Sequence, residues 1–168
     1  TPTASWLRHV LFIGAALVVL ALDQTSKELV RTLMDRGQDW PDGWPVRLHY
    51  VTNTGAAFGI LKDQSGFLVV TTVIGLIAIY LYYRYPPFDH LLAPVAMGMM
   101  LGGAIGNLVD RVRLGRVTDF IDFPFWSSFN VADSSIVIGI GILLLGYALF
   151  TERPPPRAER EDAGFNGR

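Results

Sequence analysis

The sequence predicts an all-α integral membrane protein with four transmembrane helices, because four apolar segments alternate with polar ones. Three of these segments are 18 to 20 residues long and contain no Asp, Glu, Lys or Arg. They are residues 64–83, 90–109 and 134–151. A helix of about 20 apolar residues is long enough to cross a hydrocarbon layer of about 30 Å. Each of the three therefore predicts one membrane span.

The first apolar segment, 9–22, is too short to cross the membrane by itself. We expect its helix to continue through Asp23 and Lys27, which would place two charges near membrane depth. Its end at 19–23 lacks the small-x-small pattern of a cleavable signal peptide, so we expect a retained helix. The predicted helices are about 7–34, 64–84, 90–110 and 133–151, in one membrane domain of residues 1–151.

A soluble bundle of unusually apolar helices is the alternative fold. Helices of soluble bundles carry a polar stripe at the 3.6-residue period, and residues 67–81 show none. After the last span, residues 152–168 contain three consecutive prolines, many charges and almost no apolar side chains. Such a composition cannot form a packed core, so we expect a disordered tail.

Composition excludes several kinds of function. The net charge is −1, which offers no basic surface for nucleic acid. Cysteine is absent, so there is no disulfide, thiol nucleophile or cysteine metal site. The three histidines, His9, His49 and His90, are scattered without the spacing of zinc ligands. No G-x-S-x-G or Ser-Lys arrangement of a serine hydrolase occurs at a suitable depth.

Polar residues collect at one membrane face. Four helices place the ends of helices 1 and 3 and the starts of helices 2 and 4 on the same side. The residues on that side are Asp23, Lys27, Asn53, Asn107, Asp110, Arg111, Asp119, Asn130 and Asp133.

A transporter or proton relay is a second candidate function, but it needs polar residues through the membrane, and the middles of helices 2 and 3 have none. Lys and Arg number six on the face of the chain ends and eight on the other, so charge bias leaves the orientation open.

Some of these acids have a base nearby in sequence. Asp23 and Lys27 lie at i and i+4 on one helical face and can pair. Asn107, Asp110 and Arg111 share a face at the end of helix 3. Both groups are typical of a scaffold in which each acid is held by a base, although such a network can also position a substrate.

Asp119 and Asp133 differ, because neither has a Lys or Arg within four residues except Arg116 beside Asp119. Two carboxyls brought close among apolar neighbours cannot both ionise easily. One would stay protonated while the other acts as a base, as activation of water against a peptide carbonyl requires. The alternatives are an N-cap of helix 4 for Asp133 and a solvated loop acid for Asp119. A third function, a non-catalytic membrane chaperone, would need no free acids.

Helix 3 also carries a stripe of small residues. Gly98, Gly102 and Gly106 repeat at intervals of four, which lets a neighbouring helix approach closely in lipid.

Five sequence blocks carry a resemblance to a known family. They are DQTSK at 23–27, NTGAAF at 53–58, GGAIGNLVDR at 102–111, VTDFI at 117–121 and FNVADS at 129–134. In this order on four helices they resemble the lipoprotein signal peptidases, also called signal peptidase II. The resemblance covers about 11–150.

The resemblance implies an aspartic endopeptidase with Asp119 and Asp133 as the catalytic pair and with no metal or cofactor. It also implies a set of substrate-site residues: Asn53, Gly55, Asn107, Asp110, Arg111, Asn130 and Ala132. Asp23 and Lys27 would support this site. The implied substrate is a prolipoprotein whose cysteine already bears diacylglycerol, and cleavage just before that cysteine releases the signal peptide.

Fold details and location also follow from the resemblance. A small extramembrane β-element is expected between helices 1 and 2, at about 40–62, with Trp40 and Trp44 at the interface. The protein would lie in the bacterial inner membrane in contact with its lipid, with the active site at the outer face and the chain ends in the cytoplasm. We expect a monomer.

Overall fold

The computed structural model describes residues 2–41, 43–55, 65–86, 88 and 90–150. Its elements, in chain order, are α1 (Pro2–Leu33), β1 (Asp39–Trp40), β2 (Arg47–Asn53), α2 (Ser65–Arg84), α3 (Leu92–Leu114), β3 (Val117–Asp122) and α4 (Val131–Phe150). All four helices are long and apolar enough to cross a membrane, and β1 and β2 lie between α1 and α2. The predicted fold class is confirmed. The predicted tail at 152–168 lies outside the described residues, as do 42 and 56–62 of the predicted β-element.

Four helix boundaries differ from the sequence-based ones by two residues or more. α1 begins at Pro2 rather than near 7, and α4 begins at Val131 rather than 133. α3 runs from Leu92 to Leu114 rather than from 90 to 110. The prediction ended helix 3 at its first charge, Asp110, but this carboxylate has cationic partners on α1, so the helix continues. It ends at Gly115, which has a φ of 69° and donates its N–H to the Arg111 carbonyl oxygen at 3.0 Å.

α3 is the central helix of the bundle. In its most apolar stretch 56% of the residues are buried, against 6–17% in the other three helices. A Cβ on Gly98 would overlap the Phe12 carbonyl oxygen, and one on Gly102 would overlap that of Ala16. The small-residue stripe of α3 therefore faces the backbone of α1 at close range, as its spacing predicts.

The outer surfaces of α1, α2 and α4 expose large apolar side chains. Leu17, Ile74 and Leu145, for example, are each 60% exposed. Water would disfavour such a surface, whereas lipid chains cover it at no cost.

A three-stranded antiparallel sheet in the order β1-β2-β3 covers one end of the bundle. The third strand was not predicted from the sequence, which placed the β-element only between helices 1 and 2. In the register of β2 and β3, Val51 lies opposite Asp119 and Asn53 opposite Val117. The sheet therefore carries Asp119 over the helix ends.

An apolar cluster fastens this sheet to α1. Val30 near the end of α1 packs with Tyr50 of β2 and Phe120 of β3, and all three are buried. Because Phe120 is adjacent to Asp119 in β3, this packing fixes the height of the Asp119 carboxyl above the bundle.

Candidate active site

Asp119 is a buried strand residue, only 3% exposed, and not the solvated loop acid considered as an alternative. Its two carboxyl oxygens accept hydrogen bonds from two amide side chains. Asn130 Nδ2 donates to Oδ1 at 2.7 Å, and Asn53 Nδ2 donates to Oδ2 at 3.1 Å. Both donors are neutral, so they orient the carboxyl without cancelling a charge on it.

Asp133 lies in the first turn of α4, where Asn130 caps the helix. The Asn130 Oδ1 accepts the Asp133 backbone N–H at 3.0 Å, and Asp133 Oδ2 accepts the Asn130 backbone N–H at 3.3 Å. This reciprocal pair is a capping box, with Asp133 at its third helical position. The alternative role of Asp133 as the N-cap itself is wrong, since that place belongs to Asn130. The same Asn130 side chain therefore contacts Asp119 and orders the turn that carries Asp133.

Asn107 of α3 connects the Asp133 carboxyl to a buried lysine. Its Nδ2 donates to Asp133 Oδ1 at 2.8 Å, and its Oδ1 accepts from Lys27 Nζ at 2.9 Å. Because an ammonium group can only donate, it fixes which end of the amide faces Asp133. Asn107 is thus held as a donor toward this carboxyl.

Lys27 and its acids form a separate ion cluster. Lys27 is fully buried and pairs with Asp23 at 2.9 Å and with Asp110 at 3.4 Å. Both carboxylates also accept a backbone N–H. Asp23 Oδ1 accepts that of Ala132 at 2.9 Å, and Asp110 Oδ2, the same oxygen that faces Lys27, accepts that of Thr118 at 3.1 Å. The cluster therefore ties α1 and α3 to the start of α4 and to β3.

The charge partners of Asp110 are on another helix. Its ion-pair partners are Lys27 at 3.4 Å and Arg31 at 3.6 Å, both on α1, whereas Arg111 beside it in sequence forms no ion pair with it. The predicted pairing of acid and base holds for Asp23 with Lys27. For Asp110 the sequence pointed to a base on its own helix, and the closer base is on α1.

The environment of Asp119 raises its pKa from the ordinary value to about 7, through burial first and the neighbouring Asp133 carboxyl second. The hydrogen bonds from Asn53 and Asn130 and the charge of Lys27 act in the opposite direction. A carboxyl with such a pKa can give up or hold a proton near neutral pH.

Both aspartates line one open cavity of about 770 Å³. Its polar side is formed by Asn53, Gly55, Asn107, Arg111 and the two aspartates, and its apolar side by the loop 123–129 together with Val137 and Ile138 of α4. Phe125 and Trp126 of this loop are 97% and 64% exposed. The cavity therefore has the carboxyl pair on one side and apolar side chains on the other, next to the first turns of α4.

Every sequence-predicted site residue lies in or beside this region, but in two layers. Asn53, Gly55, Asn107 and Arg111 line the cavity with the aspartates. Asp110, Asn130 and Ala132 are buried behind it, next to Asp23 and Lys27. The sequence reasoning missed the aromatic loop 123–126, although its Phe-Pro-Phe-Trp run beside a predicted active acid was a usable signal.

Comparison with known proteins gives a consistent result. Residues 15–150 match the family model described as signal peptidase (SPase) II. The chain is 46% identical over 133 residues to the lipoprotein signal peptidase of Moorella thermoacetica, covering 79% of this chain and 89% of that protein. It is 47% identical over 133 residues to the lipoprotein signal peptidase of Shouchella clausii, covering 77% and 87%.

The fold is similar to two solved structures described as a bacterial membrane enzyme, at 2.3 and 1.9 Å resolution. Both superpose with a TM-score of 0.75 at 32% sequence identity. The first comparison covers 86% of this chain and the second 83%, and each covers 94% of the solved chain.

Proposed function

The chain belongs to the signal peptidase II family, and we propose that Asp119 and Asp133 are the catalytic pair with which it cleaves prolipoproteins. It is a membrane aspartic endopeptidase that removes the signal peptide from diacylglyceryl-modified prolipoproteins. One observation carries the assignment: two carboxyls on different elements, Asp119 buried and Asp133 half-buried, line one cavity and interact electrostatically with each other. No other acid lines that cavity in the described part of the chain.

The two carboxyls have different surroundings, which suggests different roles. Asp133 lies in the first turn of a helix, where negative charge is stabilised, and Lys27 reaches it through Asn107. It would act as the base that takes a proton from the attacking water. Asp119, whose pKa is raised to about 7 by burial and by Asp133, would hold a proton and donate it to the carbonyl oxygen of the scissile peptide bond.

The proton transfers then balance over one turnover. Water adds to the carbonyl carbon while its proton passes to Asp133 and the Asp119 proton passes to the carbonyl oxygen. In the collapse of the tetrahedral intermediate, the amide nitrogen leaves with the proton held by Asp133, and Asp119 recovers its own. This reaction needs neither a metal nor a cofactor.

The polar side of the cavity would bind the substrate backbone. Asn53 and Asn107 already orient the two carboxyls, and Gly55, whose N–H donates to Asn53 Oδ1 at 2.9 Å, keeps the Asn53 amide in place. Arg111 projects into the same cavity and can donate several hydrogen bonds to carbonyl oxygens. Asp110, Asn130 and Ala132 would act from behind by holding these groups.

We also propose that the protein is a monomer of the bacterial inner membrane, with the sheet and cavity at the outer face and the chain ends in the cytoplasm. The sequence contains no cysteine, so single cysteines report orientation without background. Phe125→Cys, on the cavity side, should react with a membrane-impermeant maleimide added outside the cell. Tyr85→Cys, at the other end of α2 and 72% exposed, should react only after the membrane is opened. The opposite pattern would reverse the orientation.

The catalytic assignment is tested with purified protein and a diacylated prolipoprotein. The parent should produce a mass loss equal to the signal peptide, whereas the same prolipoprotein with an unmodified cysteine should stay intact. Asp119→Asn and Asp133→Asn should each leave the diacylated substrate uncut. Cleavage by either variant at near the parent rate would refute the pair.

A further inference from the structure

A second cavity, which the catalytic assignment does not use, lies between α2 and α4. Its volume is about 540 Å³, and α3 forms its floor through Met97, Met100 and Ala104. Its walls are almost entirely apolar, including Ile79 of α2 and Ile140 of α4. We call this cavity the α2–α4 groove.

The groove meets the cavity lined by Asp119 and Asp133 at two residues. Asn107 and Arg111 line both, and Asn107 also donates a hydrogen bond to Asp133. The spacing from Arg111 to Met97 along α3 corresponds to about 21 Å at 1.5 Å per residue. One leaflet of a hydrocarbon layer about 30 Å thick is shorter than this. The groove is therefore long enough for one extended acyl chain that starts beside the carboxyl pair.

The packing of α2 leaves the groove open. α2 packs against α3, while among the described residues α2 and α4 make no comparable contact. Gly75, which lines the groove, would meet no atom within 4 Å if it carried a Cβ. In contrast, the glycines of α3 that face α1 have no such space. The open space at Gly75 is thus a property of this groove and not of the glycines in general.

Arg111 stands where the groove begins. Its guanidinium forms no hydrogen bond with another residue in the described part of the chain, and the side chain is half-buried. Its donors are suited to ester carbonyl oxygens, which accept hydrogen bonds. An ester-linked chain could place its polar head at Arg111 and its hydrocarbon below it.

We propose that the α2–α4 groove binds one acyl chain of the diacylglyceryl group on the substrate. The proposal rests on the proposed catalytic function, because it assumes that the lipidated cysteine lies next to the carboxyl pair. The groove distinguishes acyl chains by their length, because a long chain fills it and a short chain leaves its lower part empty.

The test fills the groove by mutation. Gly75→Leu adds a side chain where the structure has space, and Gly141→Leu on the exposed face of α4, also with no atom within 4 Å, is the matched control. Two diacylated peptides are compared, one with 16-carbon chains and one with 6-carbon chains. Gly75→Leu should lower kcat/KM for the long-chain peptide about 10-fold or more, since each displaced methylene weakens binding. The short-chain peptide should be cut at within about 3-fold of the parent rate, and Gly141→Leu should behave as the parent on both.

A cross-linking experiment decides the same question without catalysis. The 16-carbon peptide, with a photoreactive diazirine at the end of one chain, is bound to Asp119→Asn and illuminated. Labelled peptides should come from α2 and α4 around Ile79 and Leu143, and prior addition of unlabelled substrate should abolish the label.

The other outcomes are distinguishable. Equal losses on both chain lengths would mean that the groove holds the signal peptide or supports the fold, and unchanged rates on both would mean that it holds bulk lipid only. Either result, or labelling outside the groove residues of α2, α3 and α4, would overturn the acyl-chain site. If the parent cut neither peptide, the proposed function would fail, and the cross-linking result would still decide the groove.

Discussion

Two groups of carboxyls meet at the same end of the helix bundle, and they are held in different ways. In the ion cluster, Asp23 and Asp110 share the buried ammonium of Lys27, and each carboxylate also accepts a backbone N–H. In the larger cavity, the proposed catalytic residues Asp119 and Asp133 form no ion pair with any described residue, and side-chain amides and a backbone N–H hold them. Asn107 joins the two groups, because it accepts from Lys27 and donates to Asp133.

The two groups of acids therefore serve different purposes, one in stability and the other in proton exchange. A buried acid with a cationic partner stays ionised and fixes the positions of helices, but it is a poor proton carrier. A buried acid with neutral donors and a second carboxyl nearby can exchange a proton near neutral pH. The first group therefore builds the frame, and the second performs the proposed reaction within it.

The largest expected effect is the loss of activity when the proposed catalytic pair is changed. Asp119→Asn or Asp133→Asn should lower kcat by about 10²–10⁴-fold or more, because the variant cannot exchange the proton. The double variant should be little worse, since residues that act as a unit are not additive. Thermal unfolding in detergent should show a folded protein in all three. Asp23→Asn and Asp110→Asn should instead lower the stability and leave partial activity. A loss of activity with unchanged stability in either variant would contradict the division into two groups of acids.

Next in size is the loss of the shared cation. Lys27→Met should destabilise by about 3–5 kcal/mol, because Asp23 and Asp110 would lose their buried partner. Adding Asp23→Asn should recover part of this loss, since Asp110 keeps Arg31 at 3.6 Å and the new Asn can still accept the Ala132 N–H. Urea or thermal unfolding of the parent, Lys27→Met and the double variant measures the recovery. A double variant less stable than Lys27→Met would show that the pairing is not the source of the effect.

The third prediction concerns pH. The pKa of Asp119 is raised to about 7 by burial and by Asp133, so between pH 4 and 7 the folded chain binds more protons than the unfolded chain. Stability should therefore fall as pH rises through this range, by about 2–3 kcal/mol from pH 5 to 7, and level off above it. Asp119→Asn should make this slope smaller and should be more stable than the parent at pH 8. Unfolding temperatures at pH 5, 6, 7 and 8 provide the measurement, with exposed Asp35→Asn as the control that should keep the parent slope.

The smallest effects concern the helix contact that holds the frame together. Gly102→Leu should cost about 1–3 kcal/mol, because its side chain would meet the α1 backbone at Ala16, whereas Gly14→Leu on α1 has open space and should be neutral. Gly106→Ala should affect the ion cluster as well, since its Cβ would overlap the Asp23 carboxylate. Equal thermal stability of the Gly102 and Gly14 variants would contradict the contact.

Several parts of the site followed from local sequence. Asp23 and Lys27 are one helical turn apart, so their pairing needs no knowledge of the fold. The isolation of Asp119 and Asp133 from nearby bases also marked them as a different kind of acid. In contrast, the third strand was missed because its hydrogen-bond partners in β2 lie more than 60 residues earlier, as in the Asn53–Asp119 bond. The capping role of Asn130 was missed because a helix start can be shifted by two residues without changing the apolar pattern.

The sequence by itself determined the four membrane helices and the single face that carries the polar residues. In a bilayer the backbone must satisfy its own hydrogen bonds, so a long apolar segment has almost no choice except a helix. The tertiary structure alone decided that Asp110 pairs with α1, that β3 brings Asp119 to the start of α4, and that an apolar groove opens beside Asn107. These contacts join residues distant in the chain, and their energies depend on burial and distance, which only the folded arrangement of several elements defines.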